Sequence, residues 1–379
     1  MSNTNQNTAR IVWLDLLRFV AILMVIACHS VDIYNATPQE DPSAGFWGGF
    51  IGSMMRPCVP LFAMMTGMLL LPVREPAKDF YRKRIPRILF PMLLWSIIYN
   101  LVPWITGVVG ADKSVVSIFF PFEYSPSQEL GDALDNIAMI PFAFNGYTTH
   151  MWYIYMLIGL YLYLPIFSAW VERATKKQKE IVLGLWILST FLPYFTEYVS
   201  KYAFGTCEWN SFGLFYYFAG FNGYMLLGHY IQHYIHWSWN KTLIIALPLL
   251  IGGFLITYSG YSYIMELPDK TPEQVELFWT YNSPNVVMMT IASFLLVYRI
   301  RINPNGRIAS CLANLTTCGF GIYMIHYYFV CVGYDLGAWL HLPAPLRIPF
   351  SALVILACSW TIVYLAKKAL GKRSVYLLG

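Results

Sequence analysis

The 379-residue chain is 57% hydrophobic and only 12% charged, with a formal net charge of +5, where an ordinary soluble domain carries about 25% charged residues. Apolar residues gathered into long blocks exclude a soluble globular protein, and a small positive charge confined to the segments between the blocks gives no reason to invoke nucleic acid. The composition specifies an all-α, polytopic integral membrane protein.

In chain order, ten apolar spans are predicted, at about 11–34, 46–72, 88–110, 150–170, 181–199, 212–234, 242–260, 284–300, 308–333 and 347–367. Each is near the roughly 20 residues that a bilayer requires. The polar segment Met1–Arg10 resembles the n-region of a signal sequence. The run after it is long and lacks a small-residue cleavage site, so a retained first helix is expected. Ten spans leave both termini on one side. If that side is cytoplasmic, inner segments hold 19 of the 25 basic residues, including six from Arg74 to Arg87. Four lie outside, at Lys113, Lys201, Lys270 and Arg347, and the positive-inside rule places both ends in the cytoplasm. No linker, repeat or appended soluble domain is evident, and residues 1–379 read as a single transmembrane domain.

The first span carries Asp15, Arg18 and His29, where ionisable groups are costly and therefore candidates for function. The eleven-residue step from Arg18 to His29 closes to within about 20° of whole helical turns and rises roughly 16 Å. Arg18 and His29 thus share one face at two depths. Asp15 sits one turn below Arg18, where it can pair with the guanidinium and offset part of its desolvation. Imidazole can take a proton from an attacking hydroxyl or accept an acyl group itself; the plainer role is a histidine hydrogen-bonded between helices. Arg18 can hold a phosphate or steady an oxyanion with Asp15 orienting it, or the two can be a buried ion pair that locks packing.

Arg56 falls about ten residues into the second span, at a depth expected between that of His29 and the midplane. It can steady an oxyanion or a sugar-linked phosphate, or pair with Asp32 or another outer acid. The loop Arg74, Lys78, Arg82, Lys83, Arg84, Arg87 follows; its cations satisfy the positive-inside rule and also suit phosphate. Asp112 to Asp135 and Glu266 to Glu276 form acidic outer loops that read as solvated surface. His150 and Trp152 open the fourth span among aromatics, which usually form an interfacial belt but also bind sugar rings. Seven cysteines are scattered without a CxxC pair and read as small buried hydrophobes, Cys28 included. His229, His233, His236 and His341 show no metal-ligand spacing, and no metal is expected. No Gly-rich phosphate loop, HExxH or GxSxG is present.

Five stretches together carry a family resemblance. RIVWLDLLRFVAILMVIACH (10–29) resembles the first helix of membrane acyltransferase family 3, with its LDxLR and a histidine ten intervening residues after the arginine. PCVPLFAMMTGMLLL resembles the family's VPLFFxxSG, with Thr66 in place of the usual serine. FYRKRIPRILFP resembles its basic inner loop, HMWYIYMLIGLYLYLPIF its HxWYL helix and FGIYMIH its late GIYLIH helix. The order is the family's, from position 10 to 326, and the compact form most resembles stand-alone O-acetyltransferases of the enterobacterial common antigen type.

The resemblance implies a multi-pass protein of the bacterial inner membrane that transfers an acyl group, usually acetyl from cytoplasmic acetyl-CoA, to a hydroxyl of a lipid-linked or cell-surface glycan. It implies catalysis by His29 with Arg18 and Asp15, donor binding at Arg84, Arg87 and Arg18, and an acceptor site near Arg56, His150 and Trp152. His326 matches the late motif but reads as structural. On this path the CoA phosphates sit at Arg84 and Arg87, the arm passes Arg18 and the thioester reaches His29. Intramembrane Asp, Arg and His also suit a secondary transporter, although the sequence shows neither an internal repeat nor paired broken helices. A non-enzymatic partner in polysaccharide export is the other alternative.

Overall fold

The computed structural model describes residues 11–36, 42–120 and 126–379; the expected Met1–Arg10 segment lies outside the described residues. Regular structure among them is helical, apart from a lone bridge between Cys207 and Asn210. Among the described residues, eight helical segments are long and apolar enough to cross a membrane: Val12–Tyr34, Ser43–Leu70, Ala77–Val108, Gly146–Arg173, Lys176–Tyr198, Trp239–Glu266, Arg307–Trp339 and Ala344–Leu378.

The other two predicted spans are shorter than expected. The 212–234 stretch contributes a 3₁₀ turn at Gly213–Phe215 and the helix Asn222–Tyr234, and the 284–300 stretch the helix Pro284–Tyr298. Before Asn222 the backbone turns through Gly213 and Gly220 at φ +50° and +98°, a left-handed region that a helical run cannot contain. The basic loop also differs from expectation. Helix begins at Ala77, so Arg82, Lys83, Arg84 and Arg87 lie on its early turns. Lysine and arginine are good helix formers, and Asp79 in the first turn complements the helix dipole.

Several spans are interrupted, contrary to the sequence expectation. The second breaks at Arg56–Pro57, between the helices Pro42–Met55 and Cys58–Leu70, because proline lacks an N–H and restricts the residue before it. The first ends at Ser30 and resumes at Asp32. The fourth starts as a 3₁₀ turn, Gly146–Met151, and the ninth changes to 3₁₀ geometry over His326–Phe329. His29, Arg56, His150 and His326 all sit at these breaks. Irregular backbone within a membrane domain survives only where protein buries it or a cavity is lined by it.

Two large apolar clusters do most to hold the helices together, one around Met64, Trp186, Tyr224 and Phe294 and the other around Tyr99, Ile154, Met324 and Tyr327. In the first, the Cys58–Leu70 and Asn222–Tyr234 helices cross at glycines. A Cβ on Gly67 would come within 2.0 Å of the Met225 carbonyl oxygen, and one on Gly228 within 2.0 Å of that of Met64. Both obstacles are backbone and cannot step aside. Overpacking of a tight crossing costs about 1–3 kcal/mol, so Gly67→Ala is expected to lower the melting temperature of the detergent-purified protein by several degrees. An unchanged melting temperature would show that the helices part freely.

Candidate active site

The lower half of the first helix carries a cation facing a cavity. Arg18 donates from Nη1 to Asp15 Oδ1 at 3.2 Å, as their spacing predicts. Asp15 is buried, while the Arg18 side chain keeps 35% of its exposure. That exposed part faces a cavity of about 350 Å³ that also takes in Arg84, Thr66, Tyr161, Tyr153 and Tyr323 among apolar side chains. The first helix, the Cys58–Leu70 helix and the Ala77–Val108 helix thus bring Arg18 and Arg84 to one space. A second cavity, of about 490 Å³, shares Leu69, Leu70 and Arg84 with the first and adds Arg74, Lys83 and His233. Arg84 stands where the two meet, and its Nε is buried without a hydrogen-bond partner. Arg87, three residues further on, is exposed and lines neither cavity.

The upper end of the same helix meets three other segments. His29 Nδ1 lies 2.7 Å from Asp32 Oδ2 across the Val31 turn. With Nδ1–H donated to the carboxylate, Nε2 keeps its lone pair and can serve as a base. The His326 ring lies 5.3 Å from that of His29, and the His150 ring 5.5 Å from that of His326. Tyr327 stands between them, 5.4 Å from His29 and stacked on His150 at 4.9 Å.

Local chemistry sets each ring. His326 donates Nδ1–H to the Tyr323 carbonyl at 2.7 Å, an intrusion into the helical ladder that accompanies the 3₁₀ break. The turn carrying His150 is held by a capping box at Asn145, and Asn145 in turn donates to Asn100 Oδ1 at 2.7 Å. The Tyr323 hydroxyl donates to the His150 carbonyl. His150 and His326 are fully buried, yet both ring nitrogens of His150 and Nε2 of His326 lack a hydrogen bond of ordinary geometry. Buried polar atoms are seldom left so, and three in one cluster are groups with hydrogen-bonding capacity to spare for a hydroxyl or a carbonyl.

Arg56 flanks this cluster. Its guanidinium lies 3.8 Å from the centroid of the Trp279 ring, and Nη1 is 3.9 Å from Glu276 Oε2. Glu276 is thus the outer acid that Arg56 approaches, while Asp32 is engaged by His29. Trp152 stacks on Tyr281 at 5.6 Å, and the Tyr281 hydroxyl lies 3.9 Å from Cys58 Sγ, two residues past Arg56.

The sequence-predicted residues therefore fall into two groups. Arg18 with Asp15 and Arg84 surround the cavities; His29 and His150 meet at the cluster, with Arg56 and Trp152 beside it. Between the groups stand Tyr153 and Tyr323, rings 5.5 Å apart. Both line the cavity together with Ile22, which lies seven residues and roughly 10 Å along the helix from His29. Sequence reasoning missed Asp32 as the partner of His29, and it missed Tyr153, Tyr323 and Tyr327; it also treated His326 as structural. Asp32 was within reach, since His29 and Asp32 repeat the i, i+3 spacing of Asp15 and Arg18.

A family model described as an acyltransferase domain, that of membrane acyltransferase family 3, matches residues 11–364. No curated protein and no solved structure matches the chain.

Proposed function

The chain belongs to membrane acyltransferase family 3, and from that membership we propose that it moves an acyl group, acetyl in the first instance, from cytoplasmic acyl-CoA to a hydroxyl of a lipid-linked or cell-surface glycan. It is a multi-pass membrane acyltransferase; donor, acceptor and residue roles are the proposal. The observation that carries it is the meeting of Arg18 and Arg84 at one cavity whose lining includes Tyr323, a ring that also packs against His150 and His326.

In this reading the phosphates of the donor rest in the cavity of Arg74, Lys83 and Arg84, where guanidinium forks suit phosphate oxygens. Both termini then lie in the cytoplasm, in keeping with the positive-inside bias. The thin pantetheine arm passes Arg18, and the Tyr153 and Tyr323 rings part to admit the thioester. His29 Nε2 accepts the proton of the acceptor hydroxyl as its oxygen attacks the thioester carbonyl. The C–S bond then breaks, and the CoA thiolate leaves and takes up a proton. Donors from His150 or Arg56 steady the oxyanion between these steps. Arg87 is assigned to the electrostatic surround of the mouth rather than to direct contact. The aromatic ring of Trp152 offers a face for the acceptor sugar.

Calorimetric titration of acetyl-CoA into detergent-purified protein tests the donor assignment. Micromolar binding is expected for the wild type and for His29→Ala, with at least a tenfold loss in Arg84→Ala, in line with about 1.5–3 kcal/mol for a charged hydrogen bond. Absence of binding by any acyl-CoA, in protein shown to be folded, defeats the proposal.

A separate test addresses Arg18. Arg18→Lys keeps the charge but loses the planar fork, so acyl transfer should fall at least tenfold while the protein accumulates and melts as the wild type does. Full activity in this variant would remove Arg18 from the donor path.

A further inference from the structure

A third cavity, of about 520 Å³, lies away from the site described above and is lined by Trp13, Trp237, Ser238, Trp239, Tyr298, Arg299, Ile300 and Arg301. Three chain segments meet there: the start of the first helix, the start of the Trp239–Glu266 helix, whose Ser238 N-cap accepts from Lys241 N, and the end of the Pro284–Tyr298 helix. Tryptophan and tyrosine at span ends commonly form an interfacial belt. Belt residues, however, face outward singly, whereas here they enclose a space. Trp13 packs edge-on to Tyr298 with ring centroids 4.8 Å apart, making one wall.

Two arginines complete the lining, and no acidic side chain contributes to it. The Arg299 guanidinium lies 5.6 Å from the Tyr298 ring centroid. Its Nη2 is buried without a hydrogen-bond partner. Neither Arg299 nor Arg301 forms an ion pair among the described residues. Lys241, over the Trp237 ring at 5.2 Å, adds a third cation at the rim. A space with unmatched positive charge and an unsatisfied guanidinium donor is built for an anion with several acceptor oxygens.

We propose that this cavity binds the phosphodiester headgroup of an anionic phospholipid in the same membrane face as the Arg84 mouth. The open side of the cavity favours a lipid over a soluble phosphate. Trp239 and Ile300 at its edge are 47% and 39% exposed, and further along the helix that Trp239 opens the exposed residues Ile244, Leu247, Ile251 and Leu255 form one apolar stripe. Acyl chains attached to a seated headgroup would lie on that stripe. Basic pockets between span ends on the cytoplasmic side are suited to such headgroups. The seated lipid would also brace Trp13, five residues before Arg18 on the same helix. The proposal does not depend on the identity of the acyl donor.

Native mass spectrometry of the full chain, released from mixed micelles of phosphatidylglycerol and phosphatidylcholine, tests it. The wild type should retain one phosphatidylglycerol with at least tenfold preference over phosphatidylcholine. The Arg299→Gln/Arg301→Gln variant should lose that preference, and Arg301→Gln alone, at an exposed position, should weaken it at least threefold with an unchanged melting temperature. Millimolar inorganic phosphate or adenosine 3′,5′-bisphosphate should leave the bound lipid in place. Equal retention of the two lipids by the wild type, undiminished preference in Arg301→Gln and the double variant, or displacement by either soluble anion would overturn the assignment.

Discussion

His29→Ala is expected to lower acyl transfer to the acceptor by about 10²–10⁴-fold, the usual contribution of a positioned general base, with donor binding retained. The expectation rests on the 2.7 Å approach of His29 Nδ1 to Asp32, which in the neutral ring selects the tautomer with a free lone pair on Nε2, and on the run of rings from His29 to His326 at 5.3 Å and from His326 to His150 at 5.5 Å. The His29 side chain is partly exposed, at 22%, so its removal opens no large void in a packed core, and the variant should fold. Rates measured with purified protein and a labelled acyl-CoA, beside calorimetric donor binding, separate chemistry from binding. Activity near that of the wild type would transfer the base role to His150 or His326.

Asp32→Asn should produce the second large loss, about 10²-fold in kcat with the donor KM little changed. An amide cannot act as an acceptor and retain the carboxylate's hold on Nδ1–H with the same strength. Its NH2 group can instead donate to Nδ1, which moves the imidazole proton to Nε2 and blocks the base. Asp32 thus acts through His29 as a positioning residue. The change is close to isosteric, so a purely packing role predicts an unaltered rate. A loss confined to KM would likewise contradict the positioning role, since it would mean that Asp32 serves donor binding.

Much of the lower site was legible because helical arithmetic applies within an uninterrupted helix. The Asp15–Arg18 pair follows from a spacing of one turn, and the shared face of Arg18 and His29 follows from eleven residues being close to three turns. The upper site was less so. His150 and His326 come together by tertiary packing of distant spans, which no local period encodes. Both stand where helices change geometry without a proline to announce it, the 3₁₀ segment at His326 being accompanied by a side chain bonded to the Tyr323 carbonyl. The break at Arg56 was foreshadowed by Pro57.

The contrast between Arg84 and Arg87 has a similar origin. Read as a loop, the basic stretch presents no face. As the opening turns of a helix from Ala77, it points Arg84 to the cavities and leaves Arg87 exposed. The short helix Asn222–Tyr234 was masked by hydrophobicity, since apolar aromatic residues before it look like a span while their glycines turn the backbone. Composition alone does not separate an apolar turn from an apolar helix.

The most direct test of the donor path is a cryo-electron microscopy structure of the protein in lipid nanodiscs with a non-hydrolysable acetyl-CoA analogue in which the thioester sulfur is replaced. The account predicts phosphates against Arg84, the arm beside Arg18, displaced Tyr153 and Tyr323 rings, and the acyl carbonyl near His29 at a distance that lets one acceptor hydroxyl reach both. An analogue bound with its acyl end away from His29, on the near side of an unmoved Tyr153 and Tyr323, would contradict it.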